Sequence, residues 1–320
     1  MNASISAPRN ERNKVHNTLR YIRMHSWLYL MLVPGLLCMF TFHFLPYYGI
    51  QIAFKDYNLF GASTPLKAIG LSKWVGFTHF EKLWGASNFI QIVRNTLEIN
   101  GLRIIVLFPL QVIVAILLSE VRSKKLAAVT RTMIYVPYFF SWVIIYGIFN
   151  AVLGTYGLFN NAINSLGLER INFFSDPRLF RVLLIFTDGW KTLGYNVVIF
   201  MAAIAGLDIQ LYEAAKVDGA NKLRQIWHVT IPGILPTVVL MFIIKVGNIL
   251  TAGFEQVLIF YNPAVYDSAD IIQTYIYRVG LGQLNFSLST AMGLFNSVVA
   301  FILIVGANTL STRTLHRSIW

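Results

Sequence analysis

Apolar residues along this chain gather into long runs separated by short polar breaks, and the runs have the length of membrane spans. A helix needs about 20 mainly apolar residues to cross the hydrocarbon core of a bilayer. Runs of that order occupy residues 27–46, 96–118, 132–153, 179–207, 233–250 and 289–310. They predict an all-α integral membrane protein of about six transmembrane helices. The second run is interrupted by Arg103 and Pro109, and the third carries Pro137 as an expected kink. The fourth carries Asp188 and Lys191, and the fifth carries Lys245 and Asn248. The first run is not expected to be a cleaved leader: it is too long, has aromatic flanks and lacks a small-residue cleavage site.

Composition agrees with lipid as the solvent. Of the 320 residues 56% are hydrophobic and 12% charged, where a soluble domain carries about 25% charged residues. The net charge of +12 would suggest nucleic acid in a soluble protein, but cytoplasmic loops of membrane proteins concentrate Lys and Arg. With the amino terminus inside, the basic residues cluster inside: Arg9, Arg12, Lys14, Arg20 and Arg23; then Arg122, Lys124, Lys125 and Arg131; then Lys216, Lys222 and Arg224; then Arg313 and Arg317. Those outside are fewer and spread over longer loops, roughly 50–94, 154–178 and 252–288. Both termini are therefore expected in the cytoplasm, and no nucleic-acid partner is needed. The 1–15 tail is polar and expected to be disordered. A short interfacial helix is expected around 80–84. Cys38, the single cysteine, is expected to be an inert buried thiol, and the scattered histidines show no metal-ligand spacing.

One long polar stretch faces the cytoplasm between spans, residues 208–232, DIQLYEAAKVDGANKLRQIWHVTIP. Residues 211–217 have helical composition with Glu213 as their lone acid. Asp218-Gly219 is a turn signal. Asp218 is expected to cap a second helix from Ala220 onward, and Gly219 to supply a backbone conformation other residues resist. Leu223, Ile226 and Trp227 form an apolar stripe at helical spacing, and Pro232 is expected to end the element. Spacing alone leaves two readings open: an amphipathic segment on the inner leaflet, or a projecting helix–turn–helix with a small-residue tip that docks on another protein.

Glu213, Ala214, Ala215, Asp218, Gly219 and Ala220, followed by Ile231-Pro232, resemble the "EAA" loop of binding-protein-dependent ABC importer permeases; the family usually ends this loop on Leu-Pro. Arg94-Asn95-Thr96 resembles the entry to the family's shared core, which would run over 92–309. FLPYYGIQIAFKDYN (44–58), WVGFTHFEKLW (74–84) and NPAVYDSADIIQTYIYRVGL (262–281) resemble the subgroup importing complex oligosaccharides, related to the maltose-type permeases and including importers of alginate or other uronate oligosaccharides. The resemblance implies a type I ABC importer permease fold in a bacterial inner membrane. Its parts would be a 1–26 tail, a first transmembrane helix at 27–50, an extracytoplasmic segment at 51–91, the core with its coupling loop, and a 310–320 tail. It also implies a second permease subunit, two copies of a cytoplasmic ABC ATPase docked on the EAA residues, and an extracytoplasmic solute-binding protein. No cofactor would be bound by this chain, with ATP and Mg in the ATPase.

Charges inside spans are costly and usually pair or line a cavity. Asp188 and Lys191 are three apart and could pair on one helix face; alternatively Lys191, with Trp190, Tyr195 and Asn196, lines a sugar pathway. Lys245 lies twelve residues past Gly233, about 18 Å along a helix, with Asn248 on the same face, and the two either line a pathway or pair with another subunit. Two such lysines favour an anionic, uronate-bearing cargo. Arg103 is expected to snorkel and Glu120 to sit in a solvated cluster with Arg122 and Lys124. No GxxxxGK[ST] phosphate loop is present, so ATP hydrolysis by that route is excluded. The competing classes are a membrane enzyme acting on lipid-linked sugar, which would need acids gathered at one interface, and a secondary transporter, for which no internal repeat is visible.

Overall fold

The computed structural model describes residue 21 and residues 24–315. The 1–15 tail and the charges at Arg9, Arg12, Lys14, Arg20, Arg23 and Arg317 lie outside the described residues. Among the described residues, five helical runs are long and apolar enough to cross a membrane: Ser26–Phe54, Phe89–Ser119, Trp142–Ser165, Lys222–Gly247 and Phe286–Arg313. A sixth is counted when Pro177–Ala205 and Ile209–Val217, bent by 67°, are taken as one span.

The first run begins as α1 (Ser26–Met39), passes through a π-helical turn at Phe40–Phe44, and tightens to 3-10 geometry at Leu45–Phe54. Its α1 and π-helical parts have no buried residue and leave Cys38 exposed, so the expected burial of that thiol is corrected; the 3-10 part buries Ala53 in the core. A two-stranded ribbon, β1 (Lys55–Asp56) with antiparallel β2 (Lys73–Trp74), encloses α2 (Pro65–Leu71), and a short helix, α3 (Thr78–Gly85), covers the 80–84 stretch.

Helix α4 (Phe89–Ser119) makes its most extensive contact with α8 (Pro177–Ala205). The third apolar run is not one kinked span. It divides into α5 (Lys124–Tyr135), a 3-10 turn at Val136–Phe139, and α6 (Trp142–Leu153), followed by the short α7 (Leu158–Ser165). Pro137 lacks an N–H and disfavours helix before it. The Ser141 hydroxyl then accepts from the Ile144 N–H at 3.3 Å and opens a new helix.

Beyond α8 come α9 (Ile209–Val217) and α10 (Lys222–Gln225). A π-helical turn at Ile226–Thr230 joins α10 to α11 (Ile231–Gly247) without interruption. Pro232 therefore does not end the element: it is the second residue of α11, directly after the π-helical turn, which re-spaces the backbone hydrogen bonds around it. At the opposite end of the bundle, α12 (Phe254–Phe260), α13 (Tyr266–Ala269) and α14 (Ile272–Tyr277) precede α15 (Phe286–Leu315).

Candidate functional site

A cleft of about 320 Å³ lies between α4, α8 and α11, closed at one side by the turn after α11. That is at the lower end of the range for small-molecule sites. Helix α8 supplies Asp188, Thr192 and Asn196, four apart and so on one face. Helix α4 supplies Asn100, Arg103 and Gln111, and α11 supplies Lys245 with Asn248 at its C-terminal end. The expected pathway residues Asn196, Lys245 and Asn248 are thus brought together. Asn248 does not continue the helix: its side-chain amide donates back to the Ile244 carbonyl at 3.0 Å.

Trp190, Lys191 and Tyr195 lie elsewhere, on the face of α8 turned to the α5–α6 break. The Lys191 ammonium donates to the Tyr138 carbonyl at 3.0 Å and to the Phe140 carbonyl, and it sits over the rings of Tyr138 and Trp142. Tyr195 stacks on Tyr138 with centroids 4.5 Å apart, and Trp190 meets Phe149 edge-on. The break at Pro137 frees carbonyls that lipid cannot satisfy, and Lys191 satisfies two of them. The possible pairing of Lys191 with Asp188 does not occur.

Asp188 pairs instead with Arg103, Nε to Oδ2 at 3.7 Å. Arg103 does not snorkel. Its side chain is 8% exposed, its Nη1 donates to Asn100 Oδ1 at 2.8 Å, and its Nη2 donates to Gln256 Oε1. Gln256 is itself anchored to the Leu184 carbonyl and the Thr187 hydroxyl. Gly253, at φ +80°, makes this possible: a Cβ there would collide with Arg103 Nη1. The signal for Arg103 was present as a charge inside an apolar run. Its depth was underestimated because α4 begins at Phe89, which places Arg103 fourteen residues, or about 21 Å, along the helix.

The end of the bundle carrying α13 is tied by polar contacts. Glu98 receives Arg94 and Arg181 at 2.6 Å each. Arg181 also donates to Asn95 Oδ1 at 2.9 Å and to the Ser268 carbonyl at 3.0 Å. Thr96 accepts from the Ile272 N–H at 2.9 Å, so Asn95 and Thr96 both hold the α13–α14 segment. Asp270 grips Arg278 with both oxygens, which pushes the Arg278 pKa up. Burial pushes the Tyr275 and Tyr261 hydroxyls up beside it.

At the other end α9 has no buried residue. Gly219 at φ +77° ends α9 in a Schellman turn, with the Ala220 N–H on the Ala215 carbonyl at 2.8 Å and the Gly219 N–H on the Lys216 carbonyl at 3.0 Å. Asp218 therefore closes α9 rather than capping α10. The cap is Asn221, whose side-chain oxygen accepts from the Arg224 N–H at 2.9 Å. Glu213, Ala214, Asp218 and Gly219 are exposed, and Ala215 and Ala220 are half-buried. Val217, at 88% exposure, stands between them and was not anticipated.

The expected apolar stripe also turns outward, with Leu223 and Trp227 exposed. Five-residue π spacing puts Gln225 and Thr230 inward instead. Gln225 donates to the Ala220 carbonyl at 2.9 Å, and Thr230 meets the Tyr212 hydroxyl at 3.0 Å. Glu120 is not merely solvated among Arg122 and Lys124, because it pairs with Lys222 at 2.7 Å and so links α4 to α10.

Residues 111–317, which hold the α8 and α11 sides of the cleft and the α9–α10 projection, match the family described as binding-protein-dependent transport system inner membrane component. The chain belongs to this permease family. It is 41% identical to Protein LplB of Bacillus subtilis (strain 168), over 91% of this chain and 90% of that one. It is 39% identical to the polygalacturonan/rhamnogalacturonan transport system permease protein YteP of the same organism, over 95% and 93%. The fold is similar to a chain in the crystal structure of a bacterial ABC transporter involved in the import of the acidic polysaccharide alginate. There the TM-score is 0.84 and the identity 35%, covering 93% of this chain and 99% of that one. A second structure of a bacterial alginate ABC transporter, in complex with an alginate pentasaccharide-bound periplasmic protein, matches equally, with TM-score 0.84, 35% identity and 94% of this chain covered.

Proposed function

We propose that this chain is one of two membrane subunits of an ATP-driven, binding-protein-dependent importer, and that its cargo is an oligosaccharide bearing carboxylates. The observation that carries the proposal is the cleft at mid-bundle, where Arg103 and Lys245 face a single acid, Asp188. Intramembrane charges of this kind mark substrate pathways, and two cations against one anion leave room for an anionic sugar. Asn100, Gln111, Thr192, Asn196 and Asn248 add hydrogen-bonding groups suited to hydroxyls. The names of the relatives, one transporting polygalacturonan and rhamnogalacturonan and another importing alginate, support a uronate cargo.

The α9–α10 turn is the proposed seat of a cytoplasmic ATPase, through Glu213, Ala214, Ala215, Asp218, Gly219 and Ala220, with Val217 added. ATP and Mg would reside there. Both termini would lie in the cytoplasm, the 92–309 core would carry transport, and a solute-binding protein would meet the opposite end. Closure of the ATPases would push on α9. The inward hydrogen bonds of Gln225 and Thr230 make α9, α10 and α11 one stiff piece, so the push would reach Lys245 at the cleft.

Gentle solubilisation and affinity purification from native membranes tests this. The expected companions are a P-loop ATPase and a second six-span subunit, and Glu213→Lys should lose the ATPase while keeping the second subunit. Recovery of the chain alone across several detergents would contradict the proposal.

A further inference from the structure

The electrostatics inside the cleft are incomplete in a specific way. Arg103 is immobilised by Asn100 and Gln256 at its two terminal nitrogens, yet its Nε has no hydrogen-bond partner among the described residues. The nearest acceptor is Asp188 Oδ2, and 3.7 Å is well beyond the 2.7–2.9 Å of a charge-assisted hydrogen bond (about 2.8 Å). The Asp188 carboxylate makes no side-chain hydrogen bond among the described residues. It lies within electrostatic reach of Lys245 as well, and Lys245 likewise has no hydrogen bond to a described residue. Two turns along α4 from Arg103, Gln111 is 1% exposed with its side-chain oxygen unpartnered.

Charges held in a low-dielectric interior gain strongly from close approach, so a carboxylate that hangs back from two cations is easily displaced. Its side chain is 18% exposed, on the cleft side of α8, so it can turn away. We propose that Asp188 is the specificity-determining residue of the cleft: its carboxylate stands in for the carboxylate of a uronate and is displaced from Arg103 and Lys245 when the cargo enters. Resting on the pathway reading of the cleft, the proposal explains how a site carrying the buried Arg103 and the half-buried Lys245 stays stable when empty and still releases an acidic sugar. Cargo carboxylate and Asp188 compete for the same two cations, so the site never holds the sugar against both.

The test uses the complete importer in detergent, with a trigalacturonate as the acidic probe and the same trisaccharide with its carboxyls reduced as the neutral probe. Binding is measured without the solute-binding protein. Asp188→Asn should bind trigalacturonate about tenfold more tightly, the effect of about 1.4 kcal/mol, and release it more slowly, with a smaller change for the neutral probe. Asp188→Glu keeps the charge and reaches closer to Arg103, and should weaken trigalacturonate several-fold. Equal binding of the acidic probe by wild type, Asp188→Asn and Asp188→Glu would overturn the proposal. Should Asp188→Asn fail to assemble, Asp188→Glu decides alone. The pathway reading fails separately: in that case Lys245→Met also leaves both probes untouched. Loss of acid preference in Lys245→Met without the two opposed shifts at Asp188 would remove the stand-in role and leave the pathway in place.

Discussion

The two faces of α8 carry similar chemistry and put it to different uses. Facing the α5–α6 break, Lys191 is saturated: two carbonyls and two aromatic rings surround its ammonium. Facing the cleft, Asp188 is held only loosely by Arg103, and Lys245 across from it has no hydrogen-bonded partner among the described residues. A charge whose bonds are complete belongs to the architecture, and one whose bonds are incomplete is available to a ligand. Both lysines look alike in the sequence, as single cations in apolar runs, and only their neighbours separate them.

The largest effect that sharpens this contrast is expected at Gly253. Gly253→Ala imposes a side chain at a left-handed position and drives it into Arg103. It should cost about 3 kcal/mol or more, read as loss of thermal stability or of complex assembly. Lys191→Met comes next. It strands the carbonyls of Tyr138 and Phe140, for about 1–3 kcal/mol each at most, and should lower melting temperature while leaving the ratio of acidic to neutral uptake unchanged. A changed ratio with unchanged stability would erase the distinction between the two faces.

Tyr195→Ala removes the stack on Tyr138 and should cost about 0.5–1.5 kcal/mol, again without altering cargo preference. Smallest is Glu120→Gln, which opens the half-exposed pair with Lys222. It should cost about 0.2–1 kcal/mol, and high salt should mask it. A fall in transport coupling larger than that stability loss would show the pair to carry motion between α10 and α4.

Most of the spans were legible because a run of apolar residues needs no partner to be recognised; the third was not, since it divides at residues 136–141. The left-handed Gly219 was legible from the Asp-Gly turn. The interruption at residues 136–141 was less so. Pro137 marks a defect, but whether a helix bends or breaks depends on whether something else can satisfy the freed carbonyls, and Lys191 comes from a helix fifty residues away. Arg103 was discounted for a related reason. A span boundary misplaced by seven residues turned a mid-bundle charge into a shallow one. The outward Trp227 and inward Gln225 were hidden by the π-helical turn, since five-residue spacing defeats a periodicity of 3.6. Of the six residues expected along the pathway, the three that reach the cleft do so through tertiary packing that spacing on one helix cannot reveal.

The central claim is that the cleft, and not the Lys191 face, chooses the cargo. Its most direct test is uptake of trigalacturonate and of its carboxyl-reduced counterpart by the reconstituted importer, in wild type and in Lys245→Met. The account predicts that Lys245→Met loses most of its preference for the acidic sugar while the neutral one enters at an unchanged rate. An unchanged preference in Lys245→Met, in a complex that still assembles, would contradict it.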